Sequence, residues 1–291
     1  MNARTREEYK HQKKIFDLLG FNYIDYQDKR VINYVAKALK SINTGAYVCF
    51  GTVSYPEALV ASIENVKVFG TEIASRVASL TSNLVLQKVS PVSNGYTCNI
   101  TYSLDDDTKE VDYSSGTVDH YKVPIKPDIM ASLHLGHEHL HALKETNYYE
   151  YIDGFVLGDV ITMLYEFILA DKYPELKNEI YRFRLYSLKD DYTHYENAIN
   201  QMKKSKDDKD LYKIIATRSG VYLNSYYYAC ILFDMYKSSP QMILDIVNRV
   251  LKHEMTTRDM LKILGLFHQD KNSIFDSVFE DVKKCVKKSI K

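Results

Sequence analysis

Eight residues, HLGHEHLH at 134–141, hold four of the chain's nine histidines, and they constrain the fold more than any other stretch. Counted from His137 they read H-E-H-L-H, an instance of H-E-x-x-H. At 100° per residue in a helix, His137 and His141 fall within about 40° of each other, about one turn apart. Two imidazole nitrogens at that spacing reach a single Zn²⁺ at about 2.0–2.1 Å without bending the helix. Glu138 lies on the same broad side but rotated away. It can therefore meet a water at the metal without ligating the ion, take its proton and pass it to a leaving amine. This chemistry requires a helix over DIMASLHLGHEHLHALKE, and Pro127 and Asp128 suit its first turn. His134 shares the metal-facing side one turn earlier, so a row of His134, His137 and His141 is an alternative metal site. His139 points elsewhere, as a capped or solvated residue.

The flanking segments set the expected architecture. Before the motif, Ile15, Leu18 and Leu19, then Val31, Tyr34, Val35 and Leu39, recur with helical period. AYVCFGTV (46–53) reads as a strand closed by Tyr55-Pro56, and 56–82 as helix broken around NVKVFG. From 84, LVLQKVS, YTCNITYSL, KEVDYSS and HYKVPI alternate or carry β-branched residues between SNG and DDD turns, which predicts an antiparallel meander. After about 150 the pattern is helical throughout, punctuated by KKSKDDKD (203–210) and Ser-Ser-Pro (238–240). The expected class is therefore α+β, helix-dominated and zincin-like, with a small antiparallel sheet before the metal helix. Residues 1–126 supply N-terminal helices and sheet and 127–291 a helical catalytic part, packed as one unit.

Composition excludes several functions. Lys plus Arg equals Asp plus Glu, 38 each, so no overall field favours nucleic acid or an anionic membrane. The tail KKCVKKSIK reads as a solvated helix end. No run approaches the roughly 18 apolar residues of a membrane span, and the charged start MNARTREEYKHQKK is no secretory signal. Cys49, Cys98, Cys230 and Cys285 form no C-x-x-C pair and read as reduced thiols, which suits the cytoplasm.

A catalytic zinc site needs a third protein ligand and one open position. GDVITMLYEFILADKY offers Asp159 and Glu166, seven apart on one helix face and about 10 Å apart along its axis. Both cannot bind one ion directly. One is expected as ligand and the other as an acceptor that fixes a histidine tautomer.

Together, DIMASLHLGHEHLHAL and GDVITMLYEFILADKY resemble the zinc helix and following helix of the thimet oligopeptidase and oligoendopeptidase F family of gluzincins. That family carries two glutamates seven apart on the second helix, the first binding zinc. In this chain Asp159 stands in the first place, Thr162 matches a small hydroxyl residue and Glu166 matches the second glutamate. The family's usual spacing, about 25 residues beyond the second histidine, instead falls on Glu166, and Leu140 stands where the family generally has glycine. RSGVYLNSYYYACILFDMYK (218–237) resembles the family's glycine- and tyrosine-rich segment. It offers Tyr222 first, and Tyr226 and Tyr228 as alternatives, to face a developing oxyanion. His194 is a surface histidine or an extra donor. The resemblance covers about 110 residues of a chain much shorter than full-length family members. A more open cleft, or one closed by a partner or a second copy, follows from that.

The resulting expectation is a cytoplasmic peptidase with one Zn²⁺ per chain. Its ligands are His137, His141 and Asp159 or Glu166; Glu138 is the base, and Tyr222, Tyr226 or Tyr228 stabilises the oxyanion. An extended peptide is the substrate, able to pair with the meander's edge. The alternative is a zincin-shaped module that binds peptides or proteins without turnover.

Overall fold

The computed structural model describes residues 28–43, 55–81, 85–89, 97–105, 110–124, 129–145, 157, 159–205, 208–267 and 269–287, the strands by their backbone pairing. The expectations for Ile15, Leu18 and Leu19, for a strand at 46–53, and for Pro127 and Asp128 lie outside them, as do Cys49 and the side chains of Cys98 and His134.

Among the described residues the helices are α1 (Lys29–Lys40), α2 (Tyr55–Val66), α3 (Thr71–Thr81), α4 (Ile129–Glu145) and α5 (Val160–Lys172). They continue as α6 (Lys177–Lys204), α7 (Lys209–Ser238), α8 (Pro240–Leu251), α9 (Thr257–Ile263) and α10 (Asn272–Lys287). Local sequence explains their boundaries. Asp28 caps α1 by accepting from the Arg30 N–H, and Thr256 caps α9 by accepting from the Asp259 N–H, each satisfying an orphan donor of the first turn. The Ser-Ser-Pro turn separates α7 from α8, with the proline in the first turn where its missing N–H costs nothing. A short 3₁₀ turn, Lys67–Phe69, breaks the run between α2 and α3 at NVKVFG.

Amphipathic and fully buried helices divide the work. α1 presents one stripe, Val31, Ile32, Val35, Ala36 and Leu39, to the core. α5 is buried on every side from Val160 to Ala170, and α7 from Leu223 to Phe233, as expected of helices at the centre of a bundle. α7 packs against α1, α5, α6, α8 and α10, and α4 lies against α2, α3 and α5. Rings hold the centre: Phe167 stacks on Phe233 at 4.9 Å, and Phe275 stacks on Tyr227 at 5.3 Å. No described helix is long and apolar enough to cross a membrane.

The expected α+β class is corrected to an all-helical one. The core side chains described all come from helices or the turns joining them. Segment 85–124 pairs only as a ribbon of β1 (Val85–Val89), β2 (Thr97–Asp105) and β3 (Glu110–Pro124), in the order β1-β3-β2. It is not an antiparallel meander either: β1 runs parallel to β3, and residues 110–115 and 120–124, expected as separate strands, belong to the single strand β3. Alternating residues explain the local pairing, but a sheet defines a layer only when a helix layer needs its face. Among the described residues, the side chains packed around α7 come from helices and their connecting turns.

Candidate metal centre

Helix α4 carries His137, Glu138 and His141, and its seat on α5 is set by Gly136. A Cβ at that position would stand 1.9 Å from the Tyr165 hydroxyl oxygen and 2.6 Å from its ring. Tyr165 is fully buried, so it has no room to retreat. Only a residue without a side chain lets α4 approach α5 this closely.

The approach brings two helix faces and one helix start together. Asp159 occupies the N-cap position of α5, yet its side chain makes no cap hydrogen bond. The Thr162 hydroxyl donates instead to the Asp159 carbonyl, 3.1 Å away. The freed carboxylate faces the histidines. Its Oδ1 lies 3.2 Å from His141 Nε2 and 3.4 Å from His137 Nε2, and the two Nε2 atoms are 3.1 Å apart. Four ligands around zinc at about 2.0–2.1 Å stand about 3.3 Å from one another in a tetrahedron. Three buried or half-buried donor atoms thus hold the mutual separations that a shared ion requires. Two imidazoles and a carboxylate also form a donor set suited to zinc and similar divalent ions.

Glu166, one face and two turns along α5, does something different. Its Oε1 lies 2.9 Å from His137 Nδ1, the ring nitrogen turned away from the cluster. The structure therefore separates the two acids that the sequence left open: Asp159 joins the donor atoms and Glu166 holds the far side of a ring. Behind Glu166, Arg184 of α6 donates from Nε to Oε2 at 2.7 Å and from Nη2 to Oε1. Burial would raise the Glu166 carboxyl, but the Arg184 charge and the His137 contact hold it well below the usual range. Burial likewise opposes ionisation of Asp159, and His141 and His137 overcome it, leaving Asp159 ionised. For His137, burial disfavours the cation while Asp159 and Glu166 favour it more strongly, so its pKa is raised.

The other candidates separate clearly. Glu138 is half-buried on α4. Tyr222 of α7 sits where burial and the charges of Asp159, Asp191 and Glu138 raise its pKa against the opposing charge of Arg218; it remains a protonated donor at neutral pH. Tyr226 and Tyr228 are buried core residues. Tyr226 lies 5.8 Å from Phe167 in a stack and its hydroxyl is set against Cys230, while Tyr228 packs edge-on against Tyr227. His139 is neither capped at the surface nor solvated, as expected, but fully buried, 2.8 Å from the Ser62 hydroxyl. Since Ser62 donates to the Leu59 carbonyl, His139 Nε2 carries the proton toward Ser62, and burial pushes its pKa down to about 3. His194 is exposed and 3.5 Å from Asp190.

Two residues near the site escaped the sequence reading. Arg184 is one; the signal for it was Glu166 itself, a charge inside an apolar helix that demands a cationic partner. Asp191, seven residues further on α6, is the other. Burial and the Asp159 and Asp190 charges push its carboxyl up to about 7 against the pull of Arg184 and Arg218. Charge alone marked neither among the many lysines, arginines and acids of the helical half. No family model matches this chain, and neither a curated protein nor a solved structure does.

Proposed function

We propose that the chain is a zinc-dependent peptidase whose ion is held by His137, His141 and Asp159. The observation that carries this reading is the set of mutual separations, 3.1, 3.2 and 3.4 Å, among His137 Nε2, His141 Nε2 and Asp159 Oδ1. Glu138 lies between the two histidines on their helix, as the H-E-x-x-H motif requires of a base. Zinc bound there would supply Lewis acidity, polarising a scissile carbonyl and acidifying a water.

The chain's own groups divide the remaining work. Glu138 accepts a proton from the attacking water and returns it to the leaving amine. Tyr222, uncharged in the ground state, donates a hydrogen bond to the oxygen that becomes negative. Glu166 keeps the His137 ring turned with Nε2 toward the cluster. The likeness to the thimet oligopeptidase and oligoendopeptidase F zinc helices supports the peptide bond as target.

The test is cleavage of a mixed peptide library by metal-loaded protein, compared with its Glu138→Gln variant. Hydrolysis by wild type, lost in a variant that keeps its metal, is the expected result. Metal binding with no hydrolysis by either protein would leave a peptide-binding module in place of an enzyme.

A further inference from the structure

Arg184 lies on a helix the metal motif does not include. We propose that it is a positioning residue for the centre: it locks Glu166 as an oriented carboxylate and thereby fixes the His137 tautomer that turns the Nε2 lone pair inward. The inference rests on the metal reading above but adds a third layer to it, Arg184 to Glu166 to His137.

The geometry supports each link. Arg184 Nε and Nη2 engage the two different oxygens of Glu166, the fork-to-carboxylate arrangement that fixes a plane as well as a distance. Glu166 Oε1 is at once within 2.9 Å of His137 Nδ1. A proton must lie in that contact, because a bare Nδ1 would set its lone pair against a carboxylate oxygen. Both oxygens of Glu166 already accept from the Arg184 guanidinium, so the proton in that contact is placed on Nδ1. Arg184 Nη2 and His137 Nδ1, 3.5 Å apart, are then two donors sharing one acceptor. Arg184 is itself almost wholly buried, 8% exposed, and lines a small cavity together with Glu166, Met163, Phe167 and Tyr226. Without the guanidinium, Glu166 loses both contacts that define its plane, and His137 is no longer confined to one tautomer.

A plain electrostatic role makes the opposite forecast. A fixed positive charge this close to the centre repels a divalent cation, so removing it should tighten metal binding. Positioning predicts weaker binding, because a carboxylate partner of a metal-binding histidine is worth about 10–100-fold in affinity. Lysine keeps the charge but lacks the planar fork, so it should restore the effect only in part.

The experiment uses the full-length chain labelled with ¹⁵N-histidine, in wild type, Arg184→Met, Arg184→Lys and Glu166→Gln. The His137 imidazole ¹⁵N shifts are read at alkaline pH after chelator treatment, and Co²⁺ affinity is then measured by competition with a chelator. The expected result is a single Nδ1–H tautomer in wild type, a mixture in Arg184→Met and Glu166→Gln, and partial recovery in Arg184→Lys. Co²⁺ affinity should fall in the same order, by about 10–100-fold at most. A single Nδ1–H tautomer retained in Arg184→Met, or Co²⁺ bound as tightly or more tightly by it, overturns the proposal. Should Arg184→Met fail to fold, the comparison of Arg184→Lys and Glu166→Gln with wild type decides by the same criteria. A tautomer that responds as expected in a protein taking up no Co²⁺ would uphold the relay and refute the metal reading.

Discussion

His137 and His139 stand two residues apart on α4, and both are buried, 5% and 0% exposed. They meet opposite fates. His137 faces Asp159 and Glu166, and these carboxylates outweigh burial to raise its pKa. His139 lies against the Ser62 hydroxyl, and burial drives it down to about 3. The residue type and the helix are shared; the partners across each face differ. One face gathers donor atoms around a point, whereas the other seals a neutral ring into the contact between α4 and α2. A histidine-rich helix is thus a site on one face and packing on the next.

Substitutions can break or sharpen this contrast. The largest expected effect belongs to the metal face: Glu138→Gln should lower peptide hydrolysis by about 10²–10⁴-fold while leaving metal content unchanged, as turnover assays and elemental analysis would show. On the packing face, His139→Ala should leave metal content intact. It should cost about 2–4 kcal/mol through the cavity and the unmet Ser62 contact, readable by denaturant unfolding. Equal metal loss from both faces would erase the contrast.

The seat of the helix comes next. Gly136→Ala forces a methyl group into the Tyr165 ring, and a cost of about 1–3 kcal/mol is expected. Metal affinity should fall with it, because the displaced helix carries both histidines. Unchanged unfolding in this variant would show that α4 and α5 do not meet as closely as described.

The smallest effect concerns Asp191, the acid beside the centre. Its folded pKa of about 7 lies above the unfolded reference of 3.8. Between those values the folded state binds more protons, so this group's contribution to stability declines as pH rises through that window. Asp191→Asn should therefore make the chain more stable at neutral and alkaline pH, by about 1 kcal/mol given the solvent around a half-buried group, and make no difference near pH 3. Stability curves against pH for the two proteins would reveal the divergence or its absence.

Much of this was legible in the sequence and some was not, for physical reasons. Helical period located α1 through Val31, Val35 and Leu39, and the histidine spacing placed His137 and His141 on one face, because both depend only on local geometry. Asp159 and Glu166 were identifiable as a pair but not assignable, since their roles depend on how α5 meets α4, and that contact hangs on Gly136 and Tyr165. Glu166 signalled a cationic partner, but not that Arg184 of α6, 47 residues beyond His137, would supply it. The class was misread because alternating residues in 85–124 report strand pairing, whereas the class depends on what packs with what. Among the tyrosines, the resemblance offered Tyr222 first with Tyr226 and Tyr228 as alternatives; the packing of α7 sets Tyr222 under the charges of the centre and Tyr226 against Phe167.

The most direct test of the centre is the zinc content of purified full-length protein by mass spectrometry, after equilibration with zinc and removal of excess, for wild type, His137→Ala, Asp159→Ala and His139→Ala. The account predicts about one zinc per chain in wild type and His139→Ala, and a loss in His137→Ala and Asp159→Ala. No zinc in wild type, or zinc undiminished when His137 and Asp159 are removed, would contradict it.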